Sequence, residues 1–538
     1  MPFCRAVWGG LFERRIAQPG ALTSGLLGLA LLVSTGTSSA LAQAGLDELI
    51  ERLGEENVPT GEDVIVGMVE SPANNNYLPN ASNPELQGVT ILPMSGSSGS
   101  SGHATTVARN FFGSEISLSP GIPTAHVWET NNWLQAGGLR VGQGIGAPPL
   151  TPPAGMRILN NSWIGDADNF NNEIIRRADF LAQRDNVFFS IGINNSNNQL
   201  PLLSHMYNGL SVGILSGNHA TGDTIGGIDG AGRMKPEIVA PGNLTSWAAP
   251  LVGGAAALMI ETAETDPVLS GNITDATRID VLRAVILAGA DHFDGWTNNP
   301  ETSGPQRGVT DRPLDEVFGA GALNVDRSHR ILTGDVVAGD TQSLPATAAG
   351  HAGWGLATMN AGQSRYWRFD VPEFAEEVSI ISTWTRTFGA NYNLPQTQNV
   401  NLQLWRVDDA GQLTTLIGPA GEPYFAGGNV ASQSTLNNVE HLYITGLEPG
   451  EYVLEANRAD AFSGQRTVAL AWLFPEPPKT DPGVIGDLNG DGVVNVFDLL
   501  LLLEGWGPCP SGSDCPADLN GDGTVNVFDL LLLLENWG

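Results

Sequence analysis

The residues best suited to chemistry by type and spacing lie near the C-terminus. Residues 487–507 read DLNGDGVVNVFDLLLLLEGWG and residues 518–538 read DLNGDGTVNVFDLLLLLENWG, one unit written twice at an offset of 31 residues. Counted from its first Asp, each loop sets oxygen-bearing side chains at positions 1, 3, 5, 9 and 12. In the first copy these are Asp487, Asn489, Asp491, Asn495 and Asp498; in the second, Asp518, Asn520, Asp522, Asn526 and Asp529. Val493 and Thr524 at position 7 add a main-chain carbonyl, and Gly492 and Gly523 at position 6 allow the sharp turn that a loop wrapped round an ion requires. Ca²⁺ takes six to eight hard oxygens, so the repeated pattern points to Ca²⁺ as the cofactor. Position 12 is Asp rather than the longer Glu, and no helical run leads into either loop: a Pro-rich stretch, 475–482, precedes the first and the Cys509–Cys515 segment precedes the second. Each unit is therefore a loop followed by one helix.

That arrangement resembles a dockerin repeat, over residues 483–538. The resemblance implies a Ca²⁺-ordered module that attaches the chain to a cohesin-like or cell-envelope docking partner. The leucine runs Leu499–Leu503 and Leu530–Leu534 cannot all face one side of a helix. Some are expected to pack the two units together and the surplus to face a partner. Cys509 and Cys515, six positions apart, read as one small disulfide in an exported chain, with a free thiol the weaker reading.

A second group of chemistry-bearing residues lies between 61 and 335. Ser101-Gly-His-Ala-Thr-Thr-Val-Ala108, Ile158-Leu-Asn-Asn-Ser-Trp-Ile-Gly165, Gly232-Arg-Met-Lys-Pro-Glu-Ile-Val-Ala-Pro-Gly242, Leu244-Thr-Ser-Trp-Ala-Ala-Pro250, Val252-Gly-Gly-Ala-Ala-Ala257 and Phe318-Gly-Ala-Gly-Ala-Leu-Asn-Val325 follow one another in that order. Together they resemble the motifs of the subtilisin-like serine peptidases. The resemblance implies His103 as general base, Ser246 as nucleophile at the start of a helix, and Asn194 as side-chain donor to the oxyanion. Glu70, where that family has Asp, would hold the imidazole. Ser162, Trp163 and Gly165 would line the substrate cleft, and Trp247 would narrow the pocket beside the nucleophile.

The elements that must position these residues can be read from periodicity. Residues 60–335 alternate apolar strand-like runs with helical stretches, the pattern of a parallel sheet covered by helices. Val64–Val69 reads as a buried strand ending at Glu70, Ile174–Ala182 as an amphipathic helix, and Val187–Ile191 as the next strand. In such sheets the site lies at the carboxyl ends of the strands, where Glu70 and Asn194 fall. Residues 345–474 change to short alternating strands punctuated by Gly and Pro, the pattern of a β-sandwich. Trp367, Trp384 and Trp405 within it are suited either to its core or to stacking on sugars.

The whole is expected to be an α/β protein: a subtilisin-like parallel sheet flanked by helices, then a β-sandwich, then a small α-helical dockerin-like domain. The boundaries are a signal peptide at 1–44, a short segment at 45–60, the peptidase-like domain at 61–335, the sandwich at 345–474, a linker at 475–482 and the calcium repeats at 483–538. Arg5, Arg14 and Arg15, the apolar run Ala21–Val33 and Ala40-Leu-Ala42 have the order of an export signal. Residues 43–60 leave no room for a folding prodomain. No later segment reaches membrane-spanning length.

Against 25 Lys and Arg stand 57 Asp and Glu, a net charge of −32. That field repels polyanions, so neither nucleic acid nor an anionic membrane surface is an expected partner. The leading expectation is a secreted serine endopeptidase acting on a protein or peptide substrate, held at a surface by its calcium repeats. The alternatives are a catalytically inactive subtilisin-like fold kept as a binding or scaffold module, and a sandwich that binds glycan while the first domain acts on a surface glycoprotein.

Overall fold

In the computed structural model, which describes residues 39–389, 392–418, 421–476, 485–488, 494–509 and 515–537, the apolar run ending at Glu70 forms strand β1 (Ile65–Glu70). It is joined by β2 (Thr90–Pro93), β3 (Thr124–Glu129), β4 (Met156–Asn161), β5 (Phe188–Gly192), β6 (Gly209–Ile214) and β7 (Ile238–Ala240) in a seven-stranded sheet of order β2-β3-β1-β4-β5-β6-β7. Every pairing is parallel. The central strands β5 and β6 are buried at every residue, so their sequences run apolar and small without alternation. From β1 the chain passes to the edge strand β2, returns to β3 beside β1, and then crosses to the other side for β4. That reversal leaves a crevice beyond the carboxyl ends of β1 and β4.

Helices cover the sheet. α1 (Leu46–Leu53) and α2 (Gly102–Phe112) precede β3, and α3 (Asn171–Asp185) precedes β5. α4 (Thr245–Thr265) follows β7 directly and is buried over most of its length. Gly253 of α4 carries no side chain where Phe111 of α2 and Ser190 of β5 close in, and a Cβ there would come within 3.0 Å of both. This close approach holds the C-terminal end of α2 against the first half of α4.

α5 (Ile279–Ala288), which α6 (Val325–Leu332) follows, is buried at all ten residues, which an amphipathic surface helix cannot be. Its outer side is covered by the sandwich: Ile381, Ala469 and Ala471 belong to the same apolar core as the helices, and Thr383 Oγ1 donates to the Asp280 carbonyl at 2.6 Å. A two-residue strand, Val309–Thr310, leaves the first region to pair with Ala431–Ser432 of the sandwich. The sandwich is mainly antiparallel. One sheet centres on Ser364–Val371, Gly450–Arg458 and Val400–Val407, the other on Ala352–Met359, Arg466–Leu473, Ala375–Thr383 and Val439–Leu447. Trp367 and Trp384 are buried in its interior. Trp405 is half-buried, with its Nε1–H donated to Glu455 Oε2 at 3.0 Å.

Residues up to 475 form one compact unit and residues 476–538 a second. In the second, α7 (Val496–Glu504) and α8 (Val527–Glu535) enclose a small core of Val494, Leu502, Ala517, Val525 and Leu533. Cys509 and Cys515 are disulfide-bonded. Among the described residues no helix is long and apolar enough to cross a membrane. The export signal lies outside the described residues up to position 38, as do most of the linker and the loop residues Asn489, Asp491 and Val493.

Candidate functional site

Glu70 ends β1 at the floor of the crevice and is completely buried. One carboxylate oxygen, Oε2, accepts from His103 Nδ1 at 2.9 Å, while Oε1 has no hydrogen-bond partner among the described residues. His103 stands on the first turn of α2, which begins because Ser101 caps it, its Oγ accepting from Ala104 N–H at 3.0 Å. Burial raises the Glu70 carboxyl pKa, and the charge and hydrogen bond of His103 only partly offset that. For His103, burial alone would depress the imidazole, but the Glu70 carboxylate outweighs it and the net shift is upward. The pair therefore holds an imidazole with Nδ1–H directed at the carboxylate and a strengthened affinity for a second proton, at Nε2.

Ser246 lies on the first turn of α4, half-buried. That turn is built without a cap from its own segment, because Leu244 has no side-chain acceptor. Asn195 supplies one from the end of β5, its Oδ1 accepting from Thr245 N–H at 2.8 Å, and Thr245 Oγ1 donates to the Ile193 carbonyl at 2.5 Å. Pro250, inside the helix, has no N–H to give the carbonyl four residues back, that of Ser246. Ser162 Oγ fills the vacancy, donating to the Ser246 carbonyl at 3.0 Å. In return Ser246 Oγ donates to the Ser162 carbonyl at 3.3 Å. Trp247 turns its indole to the His103 ring, with centroids 5.2 Å apart. The carboxyl ends of β1, β4 and β5 and the N-terminal turns of α2 and α4 thus converge. In that turn of α4 the N–H groups of Thr245 and Trp247 are taken, by Asn195 Oδ1 and the Leu244 carbonyl, and the positive end of the helix dipole marks a place where negative charge is favoured.

The other expected site residues fall differently. Asn194 spends its amide hydrogens locally, on Ser196 Oγ at 2.9 Å and the Asn198 carbonyl at 2.7 Å. It is the next residue, Asn195, that reaches α4. Trp163 belongs to the core, 4% exposed, with Nε1–H donated to Asn161 Oδ1 at 3.1 Å; an indole tied to its own strand end cannot wall a cleft. Gly165 is buried and gives its carbonyl to Leu202 N–H at 3.1 Å. Ser162 is buried at the exit of β4, where its hydroxyl also accepts from Asn160 Nδ2 at 2.9 Å. Lys235 and Glu237, from the segment leading to Ser246, form a buried ion pair at 2.7 Å with Arg283 on the far carboxylate oxygen. Burial pushes the Lys235 amine down to about 7 against the pull of Glu237.

In the second unit the repeat 518–529 is described in full. Asp518 accepts from the N–H groups of Asp522 and Gly523, at 3.1 and 2.7 Å, and Asn520 Oδ1 accepts from Asp522 N–H at 2.8 Å. Asp522 Oδ1 accepts from Thr524 N–H at 3.0 Å. Asn526 caps α8 through Phe528 N–H, and Asp529, fully buried, accepts from Asn520 and Asn526 N–H at 3.1 and 2.8 Å. Asp498 closes the same capping box on Asn495 in the first copy, and of that loop's other expected calcium ligands Asp487 is among the described residues. No three His, Cys, Asp or Glu side chains among the described residues converge on a metal-sized site. The loop's carboxylates instead gather main-chain N–H groups. Its donors are nonetheless all hard oxygens, three of them carboxylates, which suits Ca²⁺ rather than a soft metal. Both helices expose equivalent apolar residues, Val496 and Val527, Phe497 and Phe528, Leu500 and Leu531.

No curated protein matches the chain. Among solved structures, a maturation protease of prenylagaramide, PagA, is similar at 19% identity and a TM-score of 0.35, over 53% of this chain and 99% of that one. Residues 485–536 match the dockerin type I domain, a family that binds calcium and docks to cohesin partners.

Proposed function

We propose that the chain is an exported serine endopeptidase of the subtilisin-like kind, docked to a cohesin-like or cell-envelope partner by its C-terminal repeats. The observation that carries the reading is the fully buried Glu70 carboxylate, hydrogen-bonded at 2.9 Å to an imidazole that shares a crevice with a serine on the first turn of a helix. A serine hydroxyl is a weak nucleophile until a base takes its proton. Glu70 holds the proton on His103 Nδ1, which leaves Nε2 to accept from Ser246 Oγ as that oxygen releases the Ser162 carbonyl and attacks the peptide carbon. The developing oxyanion meets the positive end of the α4 dipole and an amide from the end of β5, the role expected of Asn194 and better suited to Asn195 by its contact with α4. His103 then passes its proton to the departing amine, and water repeats the cycle on the acyl-enzyme. Asp487, Asn495, Asp498 and the second-loop set Asp518, Asn520, Asp522, Thr524, Asn526 and Asp529 would hold Ca²⁺, completed in the first loop by Asn489, Asp491 and Val493.

Turnover of a fluorogenic peptide library by the intact chain tests the reading, with Ser246→Ala expected to abolish it and to leave the fold intact. Hydrolysis surviving that substitution refutes the assignment. The second reading, a subtilisin-like fold kept as a binding module, draws support from the engagement of Ser246 Oγ with Ser162 and of Asn194 with its own loop. It gains the argument if a folded wild-type chain cleaves nothing.

A further inference from the structure

We infer that Trp247 is a positioning residue for the proposed triad, its indole walling the His103 imidazole and keeping bulk water from the Glu70–His103 hydrogen bond. The inference rests on the peptidase reading of Glu70, His103 and Ser246. Trp247 follows the proposed nucleophile directly, and its main chain is held in the first turn of α4, its N–H donated to the Leu244 carbonyl at 2.9 Å. The side chain is half-buried and packs against the core of the first unit. Its centroid lies 5.2 Å from that of His103, with the ring planes inclined by 39°, so one side of the imidazole faces an apolar surface. Only 19% of the His103 side chain is exposed, and none of Glu70.

Glu70, from β1, acts on His103 by its charge and its hydrogen bond. From α4 the first turn presents Ser246 and Trp247, neither of which titrates near neutrality. The nearest acid on that helix, Glu261, is fifteen residues on, about 22 Å along the axis, and is tied to the N–H groups of Thr60, Gly61 and Glu62. An imidazolium–carboxylate attraction strengthens as water is excluded, and it is this attraction that the transition state uses. A rigid ring with two side-chain torsions excludes water at small entropic cost. Trp247 thus ties the position after the serine to the acid–base couple on the opposite wall.

The test is the His103 Nδ1 proton, observed by nuclear magnetic resonance in the full chain and assigned by its disappearance in His103→Gln. In wild type it is expected as a resolved downfield line that exchanges slowly with water. Trp247→Ala is expected to speed that exchange by about tenfold or more, and Trp247→Phe to keep it slow. An exchange rate in folded Trp247→Ala equal to that of wild type overturns the inference. Should Trp247→Ala not fold, a wild-type proton that exchanges as fast as a solvent-exposed imidazole overturns it equally. The measurement needs no turnover. Failure of the wild type to react with a fluorophosphonate would count against the peptidase reading alone.

Discussion

Replacing Glu70 by Gln removes one charge and keeps the shape. The amide retains an atom for His103 Nδ1, now 2.9 Å from Glu70 Oε2, but it can present its NH₂ there and favour the tautomer with the proton on Nε2, which cannot accept from Ser246. The carboxylate's attraction for an imidazolium, with charge centres about 4 Å apart and an effective dielectric near 20, is about 4 kcal/mol. At 1.36 kcal/mol per decade that loss alone slows acyl transfer about a thousandfold, and the wrong tautomer brings the total to about 10⁴. The pH dependence should move as well. In wild type the net upward shift of His103 places the acidic limb above 6.5, and the rate falls as pH drops through it and the base becomes protonated. In Glu70→Gln the upward pull is gone and only burial remains, so the residual limb should move below 6.5. The assay is the pseudo-first-order rate of fluorophosphonate labelling between pH 5 and 9. A rate within about threefold of wild type, or a limb that does not move, refutes the assignment of Glu70 as the imidazole's partner.

Two further outcomes follow from local geometry. Ser162→Ala leaves the Ser246 carbonyl without the donor that compensates for Pro250, and should destabilise the first unit by about 1–3 kcal/mol in urea unfolding; an unchanged midpoint contradicts this account of the hydroxyl. Among the described residues the apolar core of the repeat unit holds five buried side chains, too few to stabilise so short a segment unaided. Chelation should therefore expose residues 485–536 to limited proteolysis while residues 61–474 stay resistant, and an identical cleavage pattern with and without chelator contradicts calcium as its organiser.

Much of this was legible in the sequence because it is local. The duplicated loops carry their ligand types at fixed positions, and they coincide with the dockerin match. Two parallel strands, Val64–Val69 and Val187–Ile191, announced themselves as apolar runs, and Glu70 was placed at a strand end by the length of Val64–Val69 alone. What escaped depends on a single residue's register or on contacts distant in sequence. Asn194 and Asn195 are adjacent and chemically identical; only the direction of the chain as it leaves β5 decides which reaches Thr245. Trp163 was expected at the cleft from the resemblance, but its indole N–H is donated to Asn161 Oδ1 and its ring belongs to the core. The seating of the sandwich on α5 was not legible either. Its markers are a helix buried all round and a strand of two residues, too short to show a period. The same sandwich buries Trp367 and Trp384, leaving Trp405 as the one of the three with a partly exposed ring.

The central claim is that Ser246 is an activated nucleophile. It is tested most directly by treating the intact chain with a fluorescent fluorophosphonate, native and heat-unfolded, and locating the adduct by mass spectrometry. One adduct per chain on Ser246, formed only in the native state and absent from Ser246→Ala, is the expected result. A native, folded chain that takes no label, or takes it on another serine, contradicts the claim.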